Sequence, residues 1–160
     1  MKDTMIGKPK HLSRTYAEQF QEHSVVAAYV HRPPIPSPVF DKLLELLVDT
    51  PQAVLDAGCG MGAVARSLAP LVDRVDAVDF SSAMIEAGRQ LPNGDRPNVR
   101  WIEGRIETVP LDPPYALIVA AGSLHWMDWS HSKLSAMLYR VHLCRRKIEQ
   151  IWEWQQERFT

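Results

Sequence analysis

Residues 54–62 read VLDAGCGMG: a short apolar run, the acid Asp56, then three alternating glycines, Gly58, Gly60 and Gly62. Glycines permit backbone angles that other residues avoid, and they let a ligand approach the main chain closely. Three readings are open at this point: a dinucleotide loop, a methyl-donor loop, or a plain tight turn. An apolar run bounded by such a loop reads as a buried strand. AVARSLAPL (63–71) follows as a helix, and RVDAVDF (74–80) as a second strand that ends on Asp79.

Further out the alternation continues. Ser81 caps a helix over SAMIEAGRQL (82–91), which the turn residues Pro92, Asn93 and Gly94 end. NVRWIEG (98–104) is the third strand, and YALIVAAG (115–122) is the fourth, apolar enough to be buried on both faces. A helix is expected from His131 to about Leu143. On the N-terminal side, His11 to Val30 reads as one helix, stopped by the prolines of RPPIPSP (32–38). Ser37 and Pro38 then make a cap and first turn for FDKLLELLV (40–48). Strands and helices in this order predict an α/β domain with a parallel sheet and right-handed crossovers.

Bulk properties narrow the function. The 160 residues carry a formal net charge of −1, which gives no field to recruit nucleic acid or an anionic membrane. No run approaches the roughly 18 apolar residues of a membrane span. The first residues, MKDTMIGKPKHLSRTY, lack the apolar stretch of a signal peptide. Two cysteines, Cys59 and Cys144, make a poor disulfide framework and fit a reducing compartment. These features place the chain in the cytoplasm by default.

Two acids bear on the ligand. Asp56 puts a carboxylate beside the loop, which suits an ammonium group and would repel a pyrophosphate. Asp79, at the end of the next strand, can accept hydrogen bonds from two ribose hydroxyls. That supports a nucleoside without choosing its class. Gly58, Gly60 and Ala63 also satisfy the dinucleotide pattern G-x-G-x-x-G/A, so the glycines alone do not discriminate.

VLDAGCGMG followed by VDAVDFSSAM resembles the first two motifs of class I S-adenosylmethionine-dependent methyltransferases, of the small-molecule type that includes trans-aconitate methyltransferases. The likeness continues through WIEGRIETVPL and YALIVAAGSLHWMDW, over about residues 20–140. It implies a Rossmann-like, doubly wound, mainly parallel sheet, S-adenosylmethionine as cofactor and a small-molecule acceptor, with neither nucleic acid nor membrane as partner. By resemblance the cofactor meets Asp56, Gly58, Cys59, Gly60 and Gly62 in the loop. Asp79 holds the ribose, Phe80 and Met84 pack near the adenine, and Ala121 and Gly122, at the end of the fourth strand, also meet the cofactor. Cys59 reads as a small packing residue rather than a nucleophile.

The resemblance sets GSLHWMDW (122–129) beside the sulfonium and the acceptor, with His125 and Trp126 as candidates for the chemistry. An aromatic face there stabilises a sulfonium by about 0.5–2 kcal/mol, and His125 can take a proton or orient a carboxylate. Plain packing is the competing reading for both. His125, His131 and His142 have no acid or cysteine at a spacing that suggests a metal site. Relatives carry an R-P-x-Y-P element that helps close the site; here Ile35 replaces the tyrosine, and Arg32 faces either an anion or solvent. Arg105 stands where many relatives have an acid for the adenine amine.

The expected division is an N-terminal helix and cap segment (1–38), a cofactor-binding domain (39–143) and a divergent, helical tail (144–160). The resemblance ends near Val141, and Ile148, Ile151, Trp152 and Phe159 recur at helical spacing. Without a fifth strand, strand four becomes an apolar edge that invites self-association. The expectation is therefore a truncated or frameshifted relative, with a catalytically incompetent binding domain as the alternative to an active enzyme.

Overall fold

A computed structural model describes residues 17–128. Its centre is a four-stranded sheet in the order β3-β2-β1-β4, with every neighbouring pair parallel. The strands are β1 (Ala53–Ala57), β2 (Arg74–Asp79), β3 (Val99–Glu103) and β4 (Leu117–Val119). Alternation of strand and helix had predicted this sheet. The order reverses between β1 and β4, and that reversal opens a crevice at their carboxyl ends.

The helices are α1 (His23–Tyr29), α2 (Ser37–Glu45), α3 (Ala63–Leu68) and α4 (Ser82–Arg89). The apolar side of α3 packs on one sheet face through Val64, Ala65 and Leu68, against Val54, Val75, Ala77 and Val99. Leu68 and Val75 are fully buried; burying each such side chain stabilises the fold by about 1.5–3 kcal/mol. Ser81 caps α4 as read from the sequence, its side chain accepting from the Met84 amide at 3.3 Å. Among the described residues, no helix is long and apolar enough to cross a membrane.

Three expectations are corrected. The single helix over 11–30 is, within the described residues, a short 3-10 turn (Glu18–Gln21) and α1, separated at Glu22 by extended backbone with φ −75° and ψ 133°. The break leaves the Phe20 carbonyl to accept from Ser81 Oγ at 2.8 Å, a tertiary bond that replaces a helical one. Second, Ser37 is the first residue of α2 rather than its cap; Pro36 holds the cap position and no side chain caps the helix.

Third, β4 is three residues long and only half-buried. Among the described residues it pairs with β1 alone. Tyr115 lies outside the strand, and its hydroxyl is engaged by other elements. It donates to the buried Asp76 carboxylate on β2 at 2.6 Å and accepts from the Asp112 amide. Burial and the bond to Asp76 push the Tyr115 pKa up to about 12. The helix expected from His131 to Leu143 and the tail at 144–160 lie outside the described residues.

Candidate functional site

The glycine loop leaves β1 and reaches α3 in five residues. Its three glycines all have positive φ: 70° at Gly58, 56° at Gly60 and 68° at Gly62. At Gly62 there is also no room, since a Cβ would stand 2.4 Å from the Trp101 ring. Gly58 and Cys59 both donate their amides to the Val78 carbonyl, at 2.8 and 2.9 Å. The loop is thereby tied to the end of β2.

Asp79 completes that tie. One carboxylate oxygen accepts from the Gly60 amide at 2.7 Å and the other from the Ser81 amide at 2.9 Å. The side chain is 7% exposed. Burial raises its pKa above the ordinary carboxylate value, opposed by amide hydrogen bonds from Ser81, Gly60 and Phe80. A carboxylate oxygen has more than one lone pair, so each can still accept from a ligand hydroxyl.

Around this corner lies a cleft of about 410 Å³, within the size range of small-molecule sites, roughly 300–1,000 Å³. Of the expected residues, Gly58, Gly60, Asp79, Phe80 and Met84 line it from the β1 and β2 ends. Ala121, Gly122, His125 and Trp126 line it from the β4 side. Gly122 has φ 72° and open space where a Cβ would stand, so its backbone faces the cleft bare.

Asp56, Cys59 and Gly62 do not line the cleft. Asp56 is 2% exposed and accepts from the Ala65 amide at 3.0 Å, beneath the loop in the first turn of α3. Its carboxylate thus serves a backbone donor of the chain. Burial raises its pKa to about 7; the Ala65 bond lowers it and the charge of Asp79 raises it further. Cys59 packs against the apolar core, and burial pushes its thiol pKa well up, consistent with packing. Gly62 faces Trp101 on the far side of the loop.

The structure also brings Phe20 and Tyr29 to the cleft, which sequence reasoning did not place there. Phe20 and Tyr29 meet edge to face with ring centres 6.1 Å apart, and Phe20 meets Trp126 at 5.7 Å. His125 stacks obliquely on Trp126 at 4.8 Å. Ser123 and Met127 sit behind the glycine loop, Ser123 Oγ donating to the Ala57 carbonyl at 2.5 Å. Arg105 and the buried Glu107 line the opposite wall, with Arg105 Nε 3.7 Å from Glu107 Oε2. Arg105 carried a sequence signal as a departure from its relatives, and Ser123 to Met127 fall in the GSLHWMDW stretch read as facing the site; Phe20 and Tyr29 carried none. His131 and His142 lie outside the described residues.

A doubly wound sheet with an acid at the end of β2 beside a glycine loop defines a nucleoside-binding α/β domain. Comparison with known families gives the class. Residues 54–143, more than half of the chain, match the family described as "Methyltransferase domain". The chain belongs to that family, the S-adenosylmethionine-dependent methyltransferases, and S-adenosylmethionine is its cofactor.

Among relatives, a malonyl-[acyl-carrier protein] O-methyltransferase of Halalkalibacterium halodurans is 36% identical over 86 residues, covering 50% of this chain and 31% of that protein. An uncharacterized methyltransferase of Mycobacterium bovis is 31% identical over 100 residues, covering 61% of this chain and 50% of that one. In structure, the CcbJ methyltransferase of Streptomyces caelestis superposes with a TM-score of 0.51 at 26% identity, over 64% of this chain and 43% of its own. The chain spans about a third of the length of the malonyl-[acyl-carrier protein] relatives it matches.

Proposed function

We propose that the chain binds S-adenosylmethionine in the cleft between the glycine loop and Asp79 and transfers its methyl group to a small-molecule acceptor. The observation that carries the reading is the Asp79 carboxylate, held by two backbone amides and turned to the cleft at the end of β2. Bound there, the cofactor supplies an electrophilic methyl group on a cationic sulfur.

The chain's own residues hold and shield the reactants. Asp79 accepts the ribose hydroxyls, while Phe80, Met84 and Ile106 give the purine apolar walls. Gly58 and Gly60 let the amino-acid end lie against bare backbone. Trp126, in contact with Phe20 and His125, walls the side from which an acceptor enters. Aligning the acceptor's lone pair with the methyl carbon, and keeping water out, is most of what such a displacement needs. His125 orients the acceptor or takes its proton. The O-methyltransferase name of the H. halodurans relative makes an oxygen acceptor the first to test.

Calorimetric titration of the 160-residue chain with S-adenosylhomocysteine, with NAD as control, tests the reading. Binding of the first alone is expected. Binding of NAD, or of neither, overturns it.

A further inference from the structure

We propose that Tyr115 is a positioning residue for the cofactor's purine: it pins the crossover between β3 and β4 to the sheet and so holds the cleft wall that the crossover carries. The inference rests on the methyltransferase reading and adds to it a group that touches no ligand. The crossover, residues 104–116, contains neither helix nor strand. Its first residues, Arg105, Ile106 and Glu107, line the cleft. Its later part, VPLDPPY (109–115), holds Pro110, Pro113 and Pro114, which have no amide to donate. Backbone bonds secure the two ends, from Gly104 to the Asp79 carbonyl and from Ala116 to the Ala53 carbonyl, both at 2.8 Å. Between those ends, side chains make the attachment to β2 and β3.

The anchor is a buried acid in the middle of β2. Val75 and Ala77 pack with α3 on one face, and Asp76, between them, points to the other. Asp76 is fully buried. The Tyr115 hydroxyl donates to Asp76 Oδ2 at 2.6 Å and accepts from the Asp112 amide at 3.1 Å, so one group joins the crossover to the sheet. Asp76 Oδ1 lies 3.5 Å from both Arg74 Nε and Arg100 Nε. Those contacts are ion pairs without a hydrogen bond, since Asp76 Oδ1 and Arg74 Nε have no hydrogen-bond partner among the described residues. Both arginines reach the crossover at Asp112 Oδ2, at 2.6 and 3.2 Å.

Burial decides which of these contacts matters most. The Arg100 and Asp112 side chains are 46% and 59% exposed, so solvent screens their pairing. The bond from Tyr115 to Asp76 is charge-assisted and reaches a carboxylate shut off from water, where such bonds are strongest. With Asp76 Oδ1 lacking a donor, that carboxylate depends on the one from Tyr115. A purine against Ile106 meets the crossover directly. A wall already pinned costs nothing to order when the purine arrives, whereas a loose one does, and that cost lowers affinity.

The test uses the 160-residue chain, its Tyr115→Phe variant, which keeps the ring and loses the hydroxyl, and its Asp112→Asn variant, which weakens the exposed pairs. The ligands are S-adenosylhomocysteine and adenosine, which has the same purine and ribose without the amino acid. Tyr115→Phe should weaken both by the same factor, roughly fivefold, the size of one hydrogen bond. Amide exchange over 104–109 should quicken, while exchange over the glycine loop (58–62) stays as in wild type. Asp112→Asn should show the same pattern at about twofold. A lower melting temperature with unchanged affinities marks a purely structural role and overturns the inference, as does a loss confined to S-adenosylhomocysteine. Should Tyr115→Phe fail to fold, Asp112→Asn decides, and wild-type exchange over 104–109 in that variant overturns the inference. Each of these outcomes leaves the methyltransferase reading standing. A wild-type chain that binds neither ligand overturns both.

Discussion

The two walls of the cleft are built in different ways. On the Asp79 side, the sheet does the work: Gly58, Cys59, Gly60 and Ser81 all hydrogen-bond to the last residues of β2, and Asp79 and Ser81 are buried. On the facing side, Phe20, Tyr29 and Arg32 come from a broken helical segment, and His125 and Trp126 from a 3-10 turn (Leu124–Trp126). That wall is held by aromatic contacts and by hydrogen bonds from Ser81 to the Phe20 carbonyl and from Ser123, just before the turn, to the Ala57 carbonyl. The Asp79 wall is thus fixed by backbone geometry, whereas the facing wall rests more on side-chain contacts.

A large expected effect lies beneath the Asp79 wall, at Asp56. Its folded-state pKa of about 7 exceeds the ordinary aspartate value of 3.8, so the folded chain holds this proton more tightly than the unfolded chain. The contribution of this group to stability is therefore full below about pH 4 and is lost as pH rises to about 7. The loss is on the order of 4 kcal/mol at most. Asp56→Asn keeps an acceptor for the Ala65 amide and removes the titration. Chemical denaturation at pH 4 and pH 7 should show the decline in wild type and a much flatter profile in the variant; equal slopes would mean that Asp56 does not titrate in this range.

Gly62→Val attacks the same wall from its far side. It combines an unfavourable backbone angle with a collision against Trp101, and should cost about 2–5 kcal/mol of stability. A melting temperature within a degree or two of wild type would show that the loop can relax away from Trp101.

At the cleft surface, Asp79→Ala removes the proposed ribose acceptor and leaves two amides without their partner. S-adenosylhomocysteine affinity should fall by about 1–3 kcal/mol, read by calorimetry. Unchanged affinity would take Asp79 out of the site.

The smallest effect sharpens the contrast between the walls. Glycine is nearly as good a helix cap as serine, so Ser81→Gly should cost α4 only a few tenths of a kcal/mol. It also removes the donor to the Phe20 carbonyl, worth about 1 kcal/mol to the segment it holds. Amide exchange over Glu18–Tyr29 should quicken while S-adenosylhomocysteine affinity stays within about twofold. Unaltered exchange would show that the aromatic contacts alone hold the segment.

Legibility in the sequence followed the range of the interaction. Ser81 as a cap, Asp79 as the end of β2 and the glycine loop are signals within a few residues of one another, and local spacing suffices to read them. Asp56 looked like a ligand group because its distance along the chain from Gly58 is short, but alternation along β1 turns it under α3 to Ala65. Gly62 looked like its neighbours Gly58 and Gly60, yet its neighbour in space is Trp101, 39 residues away in sequence. The break at Glu22 has no strong local signal, since its reason is the bond from Ser81 to Phe20.

By itself, then, the sequence determined the parallel α/β sheet, the loop and the acid at the end of β2, because apolar period, glycine placement and strand ends are properties of consecutive residues. The tertiary structure alone decided which loop residues face the cleft and which face the core, and it alone brought Phe20 and Tyr29 to the cleft. Those outcomes depend on side chains distant in sequence competing for the same space and the same hydrogen bonds, and no local pattern encodes that competition.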